Sequence, residues 1–266
     1  MHLPTLRHLP ALLSISASTW SPQRAQLSMS ASALPPDQCA ILWDVDGTLV
    51  ESTKLGFDAT NEVLVAQGQS AITLADYKEG CRYSTPARFN FHLGLDSGDP
   101  EGEKLGQIFD NTYVARVSKE TAGLFPGLDR LLRSLSLNGH PQGALSNACG
   151  AYVRAVMAAN ELDELPGQRI ALFRVALGAD EVGAPKPAAD GLLRCCKDLG
   201  VEPGPCVYIG DAPSDGKAAT NAGMRSIGVL WGANSEEALK PNFDVVVEDM
   251  AGLTRALRDM MLPKAS

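Results

Sequence analysis

The chain has 266 residues, 45% of them hydrophobic and 20% charged, proportions that suit an ordinary globular enzyme with one sizeable core and a smaller appended domain. Its 31 acids against 23 bases give a formal charge of −8. No basic excess exists to neutralise phosphates, which excludes general nucleic-acid and anionic-membrane binding. No apolar run approaches the ~18 residues of a membrane-crossing helix, so no transmembrane segment is expected.

Residues 1–36 differ from the rest. They hold Arg7 and Arg24 but no Lys, Asp or Glu, and they are rich in Ser, Ala, Leu and Pro. Such a leader resembles an organelle transit peptide, with a plastid ahead of a mitochondrion as destination; import of a reporter carrying these residues is the observable. Leu9 to Ile15 is mildly apolar, so a secretory signal, alone or as the first half of a two-part plastid signal, stays open, as does a disordered cytoplasmic tail. Removing the leader would take the charge from −8 to −10.

The run Cys39-Ala40-Ile41-Leu42-Trp43 is short and apolar on consecutive positions, the pattern of a strand buried on both faces of a parallel sheet. It delivers Asp44-Val45-Asp46-Gly47-Thr48 to its C-terminal end, where open α/β sheets place their ligands. Asp46-Gly47 alone reads as a turn; two carboxylates one residue apart behind a buried strand read as a candidate phosphoryl-transfer centre. A helix is predicted over Lys54 to Gln67, then a polar, mostly helical stretch through Val117 without strand alternation, containing Arg82, Arg88 and His92. The α/β rhythm resumes at Phe125-Pro126-Gly127 with a helix over Leu128 to Leu137. The apolar segment Gly143-Ala144-Leu145 ends in Ser146-Asn147, and a helix follows from about Tyr152 to Asn160. Beyond an apolar stretch at Ile170 to Leu177 come Pro185-Lys186-Pro187 and a helix over Ala188 to Leu199. The buried strand Cys206 to Gly210 delivers Asp211, and the helix Asp215 to Ala222 closes on Gly223. Strands at Ser226 to Leu230 and Asp244 to Val247 precede a last helix through about Leu262.

Strands alternating with helices predict an α/β fold whose parallel sheet is covered on both faces. In such a sheet Asp44/Asp46, Ser146/Asn147, Lys186 and Asp211/Asp215 converge on one edge. Each group alone has a plainer use: Lys186 as a loop lysine, Ser146-Asn147 as a helix cap, Asp211 and Asp215 as cap and turn acids. Their order and shared location favour a functional constellation. The six cysteines, at 39, 81, 149, 195, 196 and 206, have no Cys-x-x-Cys spacing and read as free, mostly buried thiols, without a zinc site. Outside the leader only His92 and His140 remain, too few to carry Ser-His or Cys-His chemistry with any weight.

In order along the chain, Asp44-Val45-Asp46-Gly47-Thr48-Leu49-Val50-Glu51-Ser52, Phe125-Pro126-Gly127, Leu145-Ser146-Asn147-Ala148, Lys186-Pro187 and Gly210-Asp211-Ala212-Pro213-Ser214-Asp215 resemble the haloacid dehalogenase superfamily in its phosphatase and phosphomutase branch. The resemblance covers roughly residues 38–262. It implies a Rossmann-like core from 37–53 and 121–266 and a helical cap over 54–120. It further implies Mg²⁺ held by Asp44, Asp211 and the backbone carbonyl of Asp46. Asp44 would be the nucleophile that forms an aspartyl-phosphate, and Asp46 the acid and base for leaving group and water. Ser146 and Lys186 would stabilise the phosphoryl group, and Asp215 would orient Lys186 or metal-bound water. Thr48 and Asn147 are placed around the phosphoryl site, and Arg82 or Arg88 would bind a second anionic part of the substrate; His92 is left without a role.

The implied activity is Mg²⁺-dependent hydrolysis of a small phosphorylated metabolite of phosphoglycolate or sugar-phosphate type. A hexose-phosphate phosphomutase using the same nucleophile is the alternative, and a non-catalytic binding protein a weaker one. Dehalogenation and phosphonate cleavage are disfavoured, because those branches lack an acid at the position of Asp46; the cap lysines Lys54 and Lys78 therefore carry no imine chemistry. Two departures stand out: His140-Pro141-Gln142 is expected to interrupt the strand before Ser146, and Gly216 to weaken the helix after Asp211.

Overall fold

The computed structural model describes residues 35–163 and 171–261. The leader expectation falls, for residues 1–34, outside the described residues, as does the end of the last helix at Leu262.

Six strands form one parallel sheet: β1 (Ile41–Trp43), β4 (Gln142–Leu145), β5 (Val175–Leu177), β6 (Val207–Gly210), β7 (Arg225–Val229) and β8 (Val245–Val247). Their spatial order is β5-β4-β1-β6-β7-β8, and every neighbouring pair is parallel. The chain fills one side of β1 with β4 and β5 and then crosses to β6 on the other, so β1 and β6 flank a topological switch point. A separate antiparallel pair, β2 (Val50–Glu51) and β3 (Gly123–Leu124), brackets four consecutive helices: α1 (Thr53–Ala66), α2 (Leu74–Gly80), α3 (Thr85–Leu93) and α4 (Pro100–Ala115).

β1 is central because it has no polar side to offer. Ile41 and Trp43 face one apolar cluster with Leu132, Tyr152 and Leu253, while Ala40 and Leu42 face the other with Leu192, Tyr208 and Ala219. Full burial of each large side chain contributes roughly 1.5–3 kcal/mol. The covering helices α5 (Leu128–Leu137), α6 (Gly150–Ala159), α7 (Asp190–Leu199), α8 (Pro213–Ala222) and α10 (Met250–Met261) follow the expected periodicity, and the short α9 (Glu236–Leu239) precedes β8. α8 starts two residues earlier than expected because Pro213 fits its first turn.

His140 and Pro141 lie before β4, which is four residues long, but Gln142 belongs to the strand. Gln142 is not a break in β4 but its first residue, fully buried. Its amide accepts from Trp43 Nε1 at 3.2 Å and donates to the Leu132 carbonyl at 2.9 Å, so the polar group is satisfied inside the core. Gly216 is required by space: a Cβ there would lie 2.2 Å from the Asn242 carbonyl oxygen, so close approach of the chain outweighs lost helix propensity. In the helical segment, Asp99 caps α4 by accepting from Glu101 N at 2.9 Å, with Pro100 in the first turn. Thr73 and Asp76 cap α2 reciprocally.

Candidate active site

Adjacency of β4, β1 and β6 puts Ser146, Asp44 and Asp211 side by side at the C-terminal edge of the sheet. The turn after Asp44 is tight. Gly47 has φ +80°, and a Cβ on it would come within 2.4 Å of Asp211 Oδ2, so only glycine lets the two acidic loops meet. Lys186 arrives from the loop after β5. Asn147 holds that loop by accepting from Lys186 N at 2.9 Å and donating to its carbonyl at 3.1 Å. Asn147 therefore positions the lysine backbone.

The Lys186 ammonium is 2.5 Å from Asp44 Oδ1 and 2.7 Å from Asp215 Oδ1, and it donates to Tyr208 OH at 3.0 Å. Asp215 also accepts from Ala212 N at 3.0 Å, which holds its carboxylate beside the Lys186 ammonium. Thr48 Oγ1 donates to Asp44 Oδ2 at 3.2 Å. Carboxylate oxygens of Asp44, Asp211 and Asp215 lie within 4.8 Å of one another, all buried. Burial pushes the Asp44 carboxyl well up, against the Lys186 charge, and neighbouring carboxylates push it further. Burial and Asp215 push Asp211 up to about 7. Burial opposes protonation of Lys186, but Asp215 and Asp44 outweigh it and hold the ammonium charged. Two of the three buried carboxylates pair with the one ammonium while Asp211 accepts from Ala233 N at 2.7 Å, so the cluster carries more carboxylates than cationic groups, a donor set that a divalent cation with oxygen ligands fits.

Asp46 points elsewhere. Its Oδ1 accepts from Ser52 Oγ at 2.6 Å, Tyr152 OH at 2.6 Å and Tyr113 OH at 3.0 Å; Oδ2 accepts from Ser146 Oγ at 3.0 Å. Ser146 Oγ also accepts from Ala148 N at 3.0 Å. Sequence reasoning missed Tyr113, Tyr152 and Tyr208, because each sits in an apolar pattern where a tyrosine reads as core.

Above these groups lies a cavity of about 850 Å³, lined from the sheet side by Asp44, Asp46 and Lys186 and from the helical segment by Tyr77, Arg88 and Phe109. The two candidate arginines separate here. Arg82 is exposed at the cavity wall and paired with Glu79 at 3.1 Å. Arg88 is 8% exposed, its guanidinium 4.5 Å from the Phe109 ring centroid, and its Nε and Nη2 are buried without a hydrogen-bond partner among the described residues. Lys54 is exposed and paired with Asp58, away from the cavity; Lys78 reaches the wall. His92 does not line the cavity; burial and then the Arg88 charge pull its pKa down to about 4, leaving a neutral ring at neutral pH.

Asp110 on α4 is pushed up to about 6 by burial, against the Arg88 charge, and its Oδ1 has no hydrogen-bond partner among the described residues. An unfolded Asp releases its proton near ~3.9. The folded state therefore binds the extra proton, and this contribution to stability is fully present below about pH 4 and lost as pH rises through 6. Asp110→Asn is expected to gain about 1 kcal/mol at pH 7 relative to pH 4 once solvent screening is allowed for. Thermal melts at both pH values check this; an identical change in Tm at each would contradict it.

Fold and site together define a parallel α/β protein with a buried acid–lysine cluster at its switch point. The model of the haloacid dehalogenase-like hydrolase family matches residues 41–229, and the chain belongs to that family, in its phosphatase branch. It is 30% identical to a phosphoglycolate phosphatase of Escherichia coli strain K12 over 238 residues, covering 82% of this chain and 91% of that one. A phosphoglycolate phosphatase of Xylella fastidiosa is 31% identical over 198 residues, covering 74% and 82%. The crystal structure of CbbY from Rhodobacter sphaeroides in complex with phosphate superposes with a TM-score of 0.68 at 25% identity, covering 81% of this chain and 98% of that one.

Proposed function

We propose that this hydrolase is a Mg²⁺-dependent phosphatase of small phosphomonoesters that carry a second anionic group, acting through an aspartyl-phosphate on Asp44. The observation that carries the reading is the buried cluster itself, an Asp44 carboxylate held by Lys186 beside the excess negative charge of Asp211 and Asp215. Mg²⁺ bound by Asp44, Asp211 and the Asp46 carbonyl would supply positive charge against the repulsion between a carboxylate and a phosphate dianion. An Asp44 oxygen forms a bond to phosphorus as the ester P–O bond breaks, its electron pair going to the leaving oxygen. Asp46 gives that oxygen a proton and then takes one from the water that hydrolyses the aspartyl-phosphate. Lys186 offsets the charge on Asp44, and on the phosphoryl oxygens once transfer begins.

Arg88 supports the second half of the reading. A guanidinium buried on aromatic rings with no carboxylate partner among the described residues is costly unless an anion completes it. A carboxylate or second phosphate on the substrate would do so, and phosphoglycolate, named in the relatives above, is one such ester. Arg88→Gln is expected to raise KM for phosphoglycolate on the order of 10-fold, a loss of ~1.4 kcal/mol, while leaving an alkyl phosphate without a second anionic group within about twofold. Equal effects on both esters would remove Arg88 from substrate selection.

A further inference from the structure

Asp46 is more heavily bonded than its proposed chemistry requires. A carboxylate offers about four lone-pair sites, two on each oxygen. Ser52, Tyr113 and Tyr152 crowd Oδ1, while Oδ2 receives Ser146 alone. Two of these donors are tyrosines in core positions, Tyr152 fully buried and Tyr113 4% exposed, where phenylalanine would pack equally well without a hydroxyl to satisfy. Their rings stack with centroids 4.1 Å apart at 15°. The two tyrosines come from different parts of the chain, Tyr113 from α4 in the helical segment and Tyr152 from α6 against the sheet.

We propose that Tyr113 and Tyr152 are positioning residues for Asp46. Their hydroxyls saturate Oδ1, so the proton that Asp46 exchanges with the leaving group resides on Oδ2. Tyr113 also ties this carboxylate to the helical segment that carries Arg88. The stack fixes both phenols relative to each other, and the rest of the carboxylate follows. This inference rests on the acid role of Asp46 proposed above, and the test separates the two.

Single-turnover release of the leaving alcohol, with enzyme in excess, isolates the first step. An alkyl phosphomonoester needs a proton on its departing oxygen, whereas p-nitrophenyl phosphate leaves as a stable phenolate. Tyr113→Phe and Tyr152→Phe keep the stacked rings and remove one hydroxyl each. Each is expected to slow release from the alkyl ester on the order of 10-fold, part of the ~10²–10⁴-fold that general acid catalysis supplies. Release of p-nitrophenolate should stay within about threefold, with KM for either ester unchanged. Asp46→Asn is the reference and should show the same split, larger. Equal slowing of both esters, or no slowing, in the Tyr variants while Asp46→Asn splits them would overturn the positioning role alone. Absence of a split in Asp46→Asn would overturn both the acid assignment and the inference.

Discussion

Asp44→Asn is expected to abolish turnover, by at least about 10⁴-fold in kcat, while the protein stays folded. The amide is nearly isosteric with the carboxylate, but it is a poor nucleophile toward phosphorus and removes one negative charge from the buried cluster. Because burial already disfavours the ionised form of Asp44, the neutral variant should lose no stability in metal-free buffer and is expected to gain some. Phosphate release and a thermal melt on the same preparation check both halves. Residual turnover within about 100-fold of wild type would assign the nucleophile elsewhere.

Lys186→Met should be as damaging to activity and, unlike the first variant, to the fold. The ammonium is 4% exposed in its side chain and bridges Asp44 and Asp215, themselves 7% and 1% exposed, as the one positive charge between them. Removing one member of a buried ionic group leaves uncompensated charge and costs about 3–5 kcal/mol. For a chain of this size that corresponds to a fall in Tm of about 10 °C. Added Mg²⁺ is expected to restore part of the stability, since it supplies charge to the same carboxylates, but not the turnover. Calorimetry with EDTA and with Mg²⁺, beside phosphate release, measures all three. An unchanged Tm in EDTA would show that Lys186 does not hold the cluster together.

Much of the site is legible in the sequence, for a physical reason. A parallel sheet gathers its strand ends at one edge, so acids read behind apolar runs at Asp44 and Asp211 had to meet, and Ser146 with them. Lys186 is harder to place, being a loop residue, and its position depends on the two hydrogen bonds its backbone exchanges with the Asn147 amide. The choice between Arg82 and Arg88 was not made from sequence, although a signal existed. Thr85, Arg88 and Phe89 share the buried stripe of α3 at i, i+3, i+4, whereas Arg82 precedes the helix. The reasons for Gln142 and Gly216 are not legible in the sequence because they lie across the fold, in Trp43 and in the Asn242 carbonyl. Tyr113 and Tyr152 could not be assigned, since a hydroxyl at a core position announces that it needs a partner but not which one.

Phosphoryl groups are expected to pass through Asp44. Acid quenching during turnover of phosphoglycolate with Mg²⁺, followed by peptide mass mapping, reads this out. One phosphoryl group is expected on the peptide containing Asp44, absent without Mg²⁺ and absent from Asp44→Asn, with free phosphate accumulating in proportion to turnover. Steady phosphate release with no phosphorylated peptide at any quench time, or a phosphoryl group on a peptide lacking Asp44, would contradict it.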